Sequence, residues 1–330
     1  MPVHNAGNYL ASAVDSILAQ EQVDLELLII DDHSTDNAIQ ELCPNPQIRI
    51  LNSPKRGIVP ALNHGIENAR GYWLARMDAD DIALPRRLKS QINFLQSKPN
   101  IHICGTQVEV FKDDGPADEG YQLYQDWINA QTTAEQIEDA FFVESCLPHP
   151  SVCMRTEHIK VLQGYRDCNW PEDYDLWCRA RLKGMKFGKP NGIFLRWRDY
   201  AKRTSRQDQR YHKDRFLRCK AHYLAKYFNR KHIDSCVIWG TGPTGLKLHD
   251  YLEAEGIKVA SFVDINAKML NRKKRNKTVA IISNSPDAKE LNSFDGMNII
   301  AVSTRGAREA IREILIAAGW QQHREFILAA

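Results

Sequence analysis

In the first half of the chain, apolar residues come in short unbroken runs rather than in strict alternation. Leu25–Asp31 (LELLIID), Ile48–Asn52 (IRILN) and Tyr72–Asp78 (YWLARMD) are such runs, two of them closed by an acid. Short continuous apolar runs of this kind read as strands covered on both faces, as in parallel sheets. Between them, apolar positions recur with helical spacing over Tyr9–Gln20, Asp36–Leu42 and Ile58–Ala69. Strands alternating with helices of this length predict βαβ units joined by right-handed crossovers. Only Pro2 and Val3 are available for a strand before the first helix. The first strand is therefore expected either to be stunted or to begin upstream of Met1.

Lys112–Glu144 is polar and acidic with a Gly115–Pro116 turn, and predicts a loop plus a helix on the sheet edge. Leu147–Arg155 is a strand candidate, and Pro171–Gly184 a helix with Leu176, Trp177, Ala180 and Leu182 on or near one face. Arg196–His232 changes character, with 13 Lys and Arg against 3 Asp and seven interleaved aromatics. A second βαβ pattern follows: a strand from Ser235 to Trp239, a Gly-rich turn, a helix over Leu246–Glu255 and a strand over Lys258–Asp264. Beyond a basic loop at Lys268–Lys277 come a buried strand, Asn298–Thr304, and a helix, Ala307–Ala318. The expected class is α/β: a mainly parallel sheet flanked by helices over 1–200, a basic helical linker over 201–232, and a small Rossmann-like α/β domain over 233–330.

Composition changes this picture little. The chain has 330 residues, enough for about two domains, 43% hydrophobic content and a net charge of +3. No apolar run approaches the ~20 residues of a membrane span, and the start lacks the basic and apolar regions of a signal peptide. Eight cysteines are scattered with no CxxC pair, which suggests reduced thiols in a cytoplasmic protein rather than a zinc site or a disulfide framework.

Three constellations carry candidate chemistry. Asp78, Asp80 and Asp81 follow an apolar run directly, and Asp31 and Asp32 end a neighbouring one. Ligands of open parallel sheets bind beyond the carboxyl ends of the strands. An Asp-x-Asp pair there can share one hard cation with a phosphate; alternatively Asp81 caps a helix and the others sit in a polar turn. Glu172 and Asp173 offer carboxylates at a helix start, either as a general base or as first-turn acids favoured by the helix dipole. Gly240, Gly242 and Gly245 fit GxGxxG after a strand, with Asp264 about 20 residues on, as in dinucleotide sites. Nucleotide binding there, NAD included, stands beside a purely structural or dimerising module.

The blocks MPVHNAGNYL, LLIIDDHSTD, GIVPALNHGIENARGYWLARMDADDIALPRRL, HPSV and PEDYDLWCRARLKG occur in this order. Together they resemble the family 2 glycosyltransferases of the GT-A fold over roughly residues 1 to 200. The resemblance implies an inverting, metal-assisted transfer of a sugar from a nucleotide-diphosphate sugar, a UDP-sugar by preference, to a hydroxyl of a glycan or lipid-linked saccharide. It implies that Pro2, His4, Asn5, Asp31, Arg56, Gly57 and Asp78 line the nucleotide pocket. It makes Asp80 the ligand of Mn²⁺ or Mg²⁺ and Asp173 the catalytic base. Glu172, His149, Trp197 and Arg198 would lie on the acceptor or donor side. His4 stands where the family often has Tyr, and His33 where Gly is frequent. The basic stretch is compatible with peripheral contact to an anionic membrane face; no nucleic-acid module accompanies it. The C-terminal pattern looks like the nucleotide-sugar-binding module of some sugar acyltransferases. A rival reading is a nucleotide-sugar-binding protein without turnover. A sugar nucleotidyltransferase is disfavoured, since PVHNAG lacks the Gly-rich basic signature expected after its first strand.

Overall fold

The computed structural model describes all residues except 202, 284–290, 292–293 and 295. The chain forms two compact units, one of residues 1–137 and 146–208, the other of 138–145 and 209–330.

In the first unit, β1 (Pro2–Val3), β2 (Leu27–Asp31) and β3 (Ile48–Asn52) form a parallel sheet in that order. Helix α1 (Tyr9–Leu18) makes the crossover from β1 to β2, the connection from β2 to β3 runs through turns, and α2 (Ile58–Asn68) follows β3. β2 is buried throughout up to Asp31, and its Leu27 and Ile29 pack with Val3, Leu10, Val14 and Ile17. β3 is the edge, and Ile50 is 48% exposed, so this run is parallel but not buried as its apolar content suggested. Asp36–Leu42 forms turns, not a helix; Ala38 and Ile39 still reach the core.

A second group of strands is mixed. β4 (Trp73–Ala75) pairs antiparallel with β8 (Cys153–Arg155), in the order β4-β8-β6-β9 with β6 (Ile103–Cys104) and β9 (Phe187–Gly188). The run before Asp78 is thus a short, half-exposed antiparallel strand, where the pattern predicted a buried parallel one. β7 (Gln107–Phe111) pairs parallel with β10 (Ile193–Arg198), which also pairs antiparallel with β5 (Ile82–Ala83). Helices α3 (Arg87–Ser97) and α4 (Glu119–Ala130) flank these strands. In the strand predicted over Leu147–Arg155, only Cys153–Arg155 is extended, because His149–Ser151 takes a 3₁₀ turn.

The second unit holds β11 (Ser235–Trp239), β12 (Lys258–Asp264), β13 (Lys273–Lys274), β14 (Lys277–Ile281), β15 (Met297–Ile300) and β16 (Phe326–Leu328). Five run parallel in the order β14-β12-β11-β15-β16, and β13 closes one edge antiparallel. The order reverses direction between β11 and β15, as in doubly wound sheets. The basic segment Lys268–Lys277 is therefore partly a hairpin rather than a loop. The basic stretch also contributes a 19-residue helix, Lys213–Lys231, to this unit. Among the described residues, no helix is long and apolar enough to cross a membrane.

Gly245 shows why this turn is glycine-rich. A Cβ there would lie 2.1 Å from the Gly240 carbonyl oxygen. Gly240 itself has φ +110°, a conformation glycine takes without a Cβ clash. Gly245→Ala is expected to destabilise the second unit by ~2 kcal/mol, read as a lower melting midpoint of the full chain. An unchanged midpoint would show that the turn relaxes freely.

Candidate active site

The residues expected at the nucleotide gather beyond the carboxyl ends of β1, β2 and β3. Pro2 is buried within β1. His4 and Asn5 follow as an exposed turn, Asn5 at φ +51°. The turn is stapled to the loop after β2. The Asn5 side-chain oxygen accepts from Thr35 N at 2.7 Å and Asp36 N at 3.3 Å, and His4 Nδ1 lies 2.7 Å from the Asp32 carbonyl oxygen. Asp31 closes β2 half-buried and accepts from Ser34 N at 2.9 Å. The next acid, Asp32, is the buried one, and it accepts from Gly57 N at 2.7 Å. Arg56 is exposed, with Nη2 3.3 Å from His4 Nε2. His33 adopts φ +57° at the place where glycine is frequent.

Asp78, Asp80 and Asp81 form the second element of the site. One carboxylate oxygen from each lies within 4.8 Å of the others. Asp81 is buried and followed directly by β5, so it does not cap a helix. Its Oδ1 accepts from Arg198 N at 2.8 Å, while Oδ2 is buried with no hydrogen-bond partner. Burial, reinforced by the neighbouring acids, pushes the Asp81 carboxyl well above the usual carboxylate range. Burial and Asp78 push Asp80 up in the same way. Three carboxylates this close, one with an unspent buried oxygen, make an oxygen donor set that a hard divalent cation would neutralise.

Asp173 stands at the start of the helix Glu172–Leu182, behind Pro171. Burial, then the adjacent Glu172, raises it to about 7. Glu172 is buried, and its Oε1 lies 3.9 Å from His149 Nδ1. His149 is buried too, and burial holds its pKa well below the usual histidine value. Its Nε2 meets the Tyr165 hydroxyl at 2.7 Å. Tyr165 is fixed by Asn63, whose amide bonds the Tyr165 backbone at 2.8 and 3.0 Å.

Arg76 joins these two groups. It is ion-paired with Asp78, and its field acts on Asp80, Asp173, His149 and Tyr165. The sequence placed Asp78 and Asp173 in separate motifs; the structure puts one arginine between them. Arg76 and Tyr165 escape a motif reading, because each matters through partners distant in sequence. The only hint was that Arg76 precedes the acid run by two residues.

Trp197 and Arg198 end β10, which meets the acid loop through the Arg198 N–H on Asp81. Trp197 packs against the main core cluster. Arg198 is 6% exposed and its donors are engaged: Nε bonds the Asp80 carbonyl oxygen at 2.7 Å, and Nη1 pairs with Asp113. Its guanidinium lies between the Tyr9 and Phe111 rings, 4.4 and 4.5 Å from their centroids. Arg198 thus shapes the Asp80–Asp81 loop from behind. The groups reaching the acids come just after it. The Tyr200 hydroxyl donates to Asp80, which burial and that carboxylate together reflect in a raised tyrosine pKa. Arg203 places its charge near Asp80 and Asp81 and lies 4.6 Å above the Trp197 ring. Tyr9, one helix turn after the His4–Asn5 loop, packs 5.4 Å from Tyr200 and so links the nucleotide loop to the acids.

In the second unit, Gly242 precedes the helix Pro243–Ala254 and has open space at its Cβ position. Both Asp264 oxygens are engaged locally: Oδ2 by the Thr241 hydroxyl and backbone N–H, Oδ1 by Asn266 N at 2.9 Å.

A family model described as "Glycosyl transferase family 2" matches residues 1–160, the segment holding the nucleotide loops and all three clustered acids. These residues belong to glycosyl transferase family 2. Asp173 and its helix lie beyond the matched segment of the family 2 domain. The putative glycosyltransferase EpsE of Bacillus subtilis (strain 168) is 27% identical over 197 residues, 56% of this chain and 66% of that protein. The chondroitin synthase of Pasteurella multocida (strain Pm70) is 34% identical over 126 residues, 37% of this chain and 13% of that protein. The chain therefore spans from about an eighth to about two thirds of the length of these relatives. Among solved structures, the mannosyltransferase PcManGT from Pyrobaculum calidifontis, in complex with GDP-Man and Mn²⁺, matches 77% of this chain and 67% of its own at 17% identity and a TM-score of 0.47.

Proposed function

We propose that the first unit is an inverting glycosyltransferase that moves a sugar from a nucleoside-diphosphate donor to an acceptor hydroxyl. The observation that carries this reading is the gathering of Asp78, Asp80 and Asp81 within 4.8 Å, with Arg76 paired to Asp78 and acting also on a carboxylate, Asp173, raised to about 7. Family membership of residues 1–160 supports it.

In this reading Pro2, His4, Asn5, Asp31, Arg56 and Gly57 hold the base and ribose, and Asp78 reaches the ribose from the other side. Asp80, with Asp78 and Asp81, would hold Mn²⁺ or Mg²⁺, which supplies positive charge to the diphosphate as its bond to the sugar breaks. Arg203 and the Tyr200 hydroxyl bring further positive potential and a donor to the same place. Asp173 takes the proton of the acceptor hydroxyl. The acceptor oxygen bonds to the anomeric carbon, the diphosphate leaves from the opposite face, and configuration inverts in one displacement. A carboxylate raised to about 7 matches a base working near neutral pH. Neutral His149, bonded to Tyr165, walls the acceptor side without competing for that proton.

The preferred donor is a UDP-sugar and the acceptor a glycan or lipid-linked saccharide, with the second unit a Rossmann-like module. Incubating the chain with nucleotide sugars, Mn²⁺ and saccharide acceptors, and reading the anomeric configuration of the product by NMR, tests the reading. An inverted product supports it. A retained configuration would remove the single displacement and Asp173 as base. Donor binding with no product from any acceptor would favour a binding protein without turnover.

A further inference from the structure

Between β12 and β14 the chain reads INAKMLNRKKRN, Ile265–Asn276, with five Lys and Arg and no acid. It begins as a tight turn at the carboxyl end of β12. Asp264 Oδ1 accepts from Asn266 N at 2.9 Å, the Asn266 side chain accepts from Lys268 N at 3.1 Å, and Ala267–Met269 makes a 3₁₀ turn. The chain then passes onto the sheet edge. Asn271 N donates to the Val279 carbonyl oxygen at 3.1 Å and Val279 N to the Arg272 carbonyl oxygen at 2.9 Å, and β13 follows as the outermost strand. This short turn carries two aliphatic side chains into solvent, Ile265 at 59% and Leu270 at 56% exposure. Cations stand on both sides of Leu270. Arg275 is paired with Asp250 and Lys277 with Glu253. Lys268, Arg272 and Lys273 are exposed and Lys274 half-buried, and none of the four has an acidic partner among the described residues.

We propose that this turn and edge strand dock on an anionic lipid bilayer, the cations meeting the headgroups while Ile265 and Leu270 enter the boundary with the acyl chains. Lysines on a sheet edge also discourage strand addition, and Lys273 and Lys274 alone would serve that purpose. Edge protection gives no reason to expose two aliphatic side chains beside them. Water disfavours that exposure, whereas aliphatic side chains rimmed by charge are what a membrane contact uses. A soluble polyanion such as a nucleic acid would meet the cations but leave the aliphatic pair idle. Single-stranded bases stack on aromatic rings, and Ile265–Asn276 contains none. The two contributions complement each other, because one weak membrane signal binds only marginally and two together hold a protein at the surface. Each unpaired cation is worth a factor of about 5 in affinity for an anionic bilayer. The inference does not depend on the transferase reading, because its readout is vesicle binding rather than turnover.

The test is co-sedimentation of the full chain with vesicles of phosphatidylcholine alone, and of phosphatidylcholine with about a third phosphatidylserine, at ~0.1 M salt. The chain is expected to bind the anionic vesicles at least ~100-fold more tightly than the neutral ones. Lys273→Gln with Lys274→Gln should weaken that binding by ~25-fold. Ile265→Ser with Leu270→Ser, which leaves every charge in place, should weaken it by at least ~10-fold. All four side chains lie at the surface, so both double variants should keep the wild-type melting midpoint. No binding to anionic vesicles, or equal binding to both kinds, would overturn the proposal. Anionic binding unmoved by the lysine pair would overturn it too, placing the contact elsewhere, as on Arg196–His232. Full binding by the serine pair, or tighter binding of the wild type to a short DNA duplex than to the vesicles, would make the surface a general polyanion site and remove the lipid assignment.

Discussion

Asp173→Asn is expected to lower transfer by ~10²- to 10⁴-fold, the range a positioned general base contributes, while leaving nucleotide affinity unchanged. The asparagine is isosteric and cannot accept the acceptor's proton. The wild-type rate should fall as pH drops through about 7, where the carboxylate becomes protonated. The variant should lose that limb of the profile. Stability gives an independent readout with a definite sign. The folded state holds the Asp173 proton up to about 7, because burial and then Glu172 disfavour its charge, whereas an ordinary Asp releases it near 3.8. Between these values the unfolded state releases a proton that the folded state keeps, so this group makes folding less favourable as pH rises. Above about 7 the cost is constant, and below 3.8 it is absent. Asp173→Asn should therefore raise the melting midpoint at pH 8 and not at pH 3.5. The stabilisation is on the order of 2 kcal/mol, tempered by the partly open position of the side chain. Activity lost without the pH-dependent stabilisation would mean Asp173 acts otherwise than as a carboxylate raised by its surroundings.

Asp80→Asn is expected to weaken Mn²⁺-dependent donor binding by at least ~100-fold, since disturbing groups merely behind a metal's ligands already costs 10- to 100-fold. Metal-free nucleotide binding, which rests on the loops after β1, β2 and β3, should be little changed. Removing one of three crowded carboxylates also relieves repulsion. Asp81, raised partly by Asp78 and Asp80, should then titrate closer to an ordinary carboxylate. Unweakened Mn²⁺-dependent binding in Asp80→Asn, measured by calorimetry, would remove Asp80 from the metal set.

What was legible in the sequence was local. The apolar run of β2 and its closing acid predicted a buried parallel strand with Asp31 at its carboxyl end, and the structure has both. GTGPTG predicted a strand–turn–helix, and the structure has one between β11 and the helix Pro243–Ala254; the packing of Gly245 on the Gly240 carbonyl came only with the structure. What was not legible depended on partners. Tyr72–Asp78 has the composition of a buried parallel strand, yet β4 pairs antiparallel with β8, a partner almost eighty residues away that no periodicity specifies. Asp36–Leu42 has helical spacing over less than two turns, too short to pay the nucleation cost, and the Asn5 side chain takes the Thr35 and Asp36 N–H groups. The resemblance set Arg198 on the acceptor or donor side; its partners there, Asp113 and the Asp80 carbonyl, are distant in sequence and no motif names them. Tyr200 and Arg203, a few residues on, come to the acids because β10 ends there.

The central claim is that the acid cluster builds a metal-dependent nucleotide site. Calorimetric titration of the full chain with UDP, GDP and CDP, each with and without Mn²⁺, tests it most directly. The account expects one nucleotide, UDP by preference, to bind tightly only in the presence of Mn²⁺ and far more weakly without it. Equal affinity with and without the metal would contradict it.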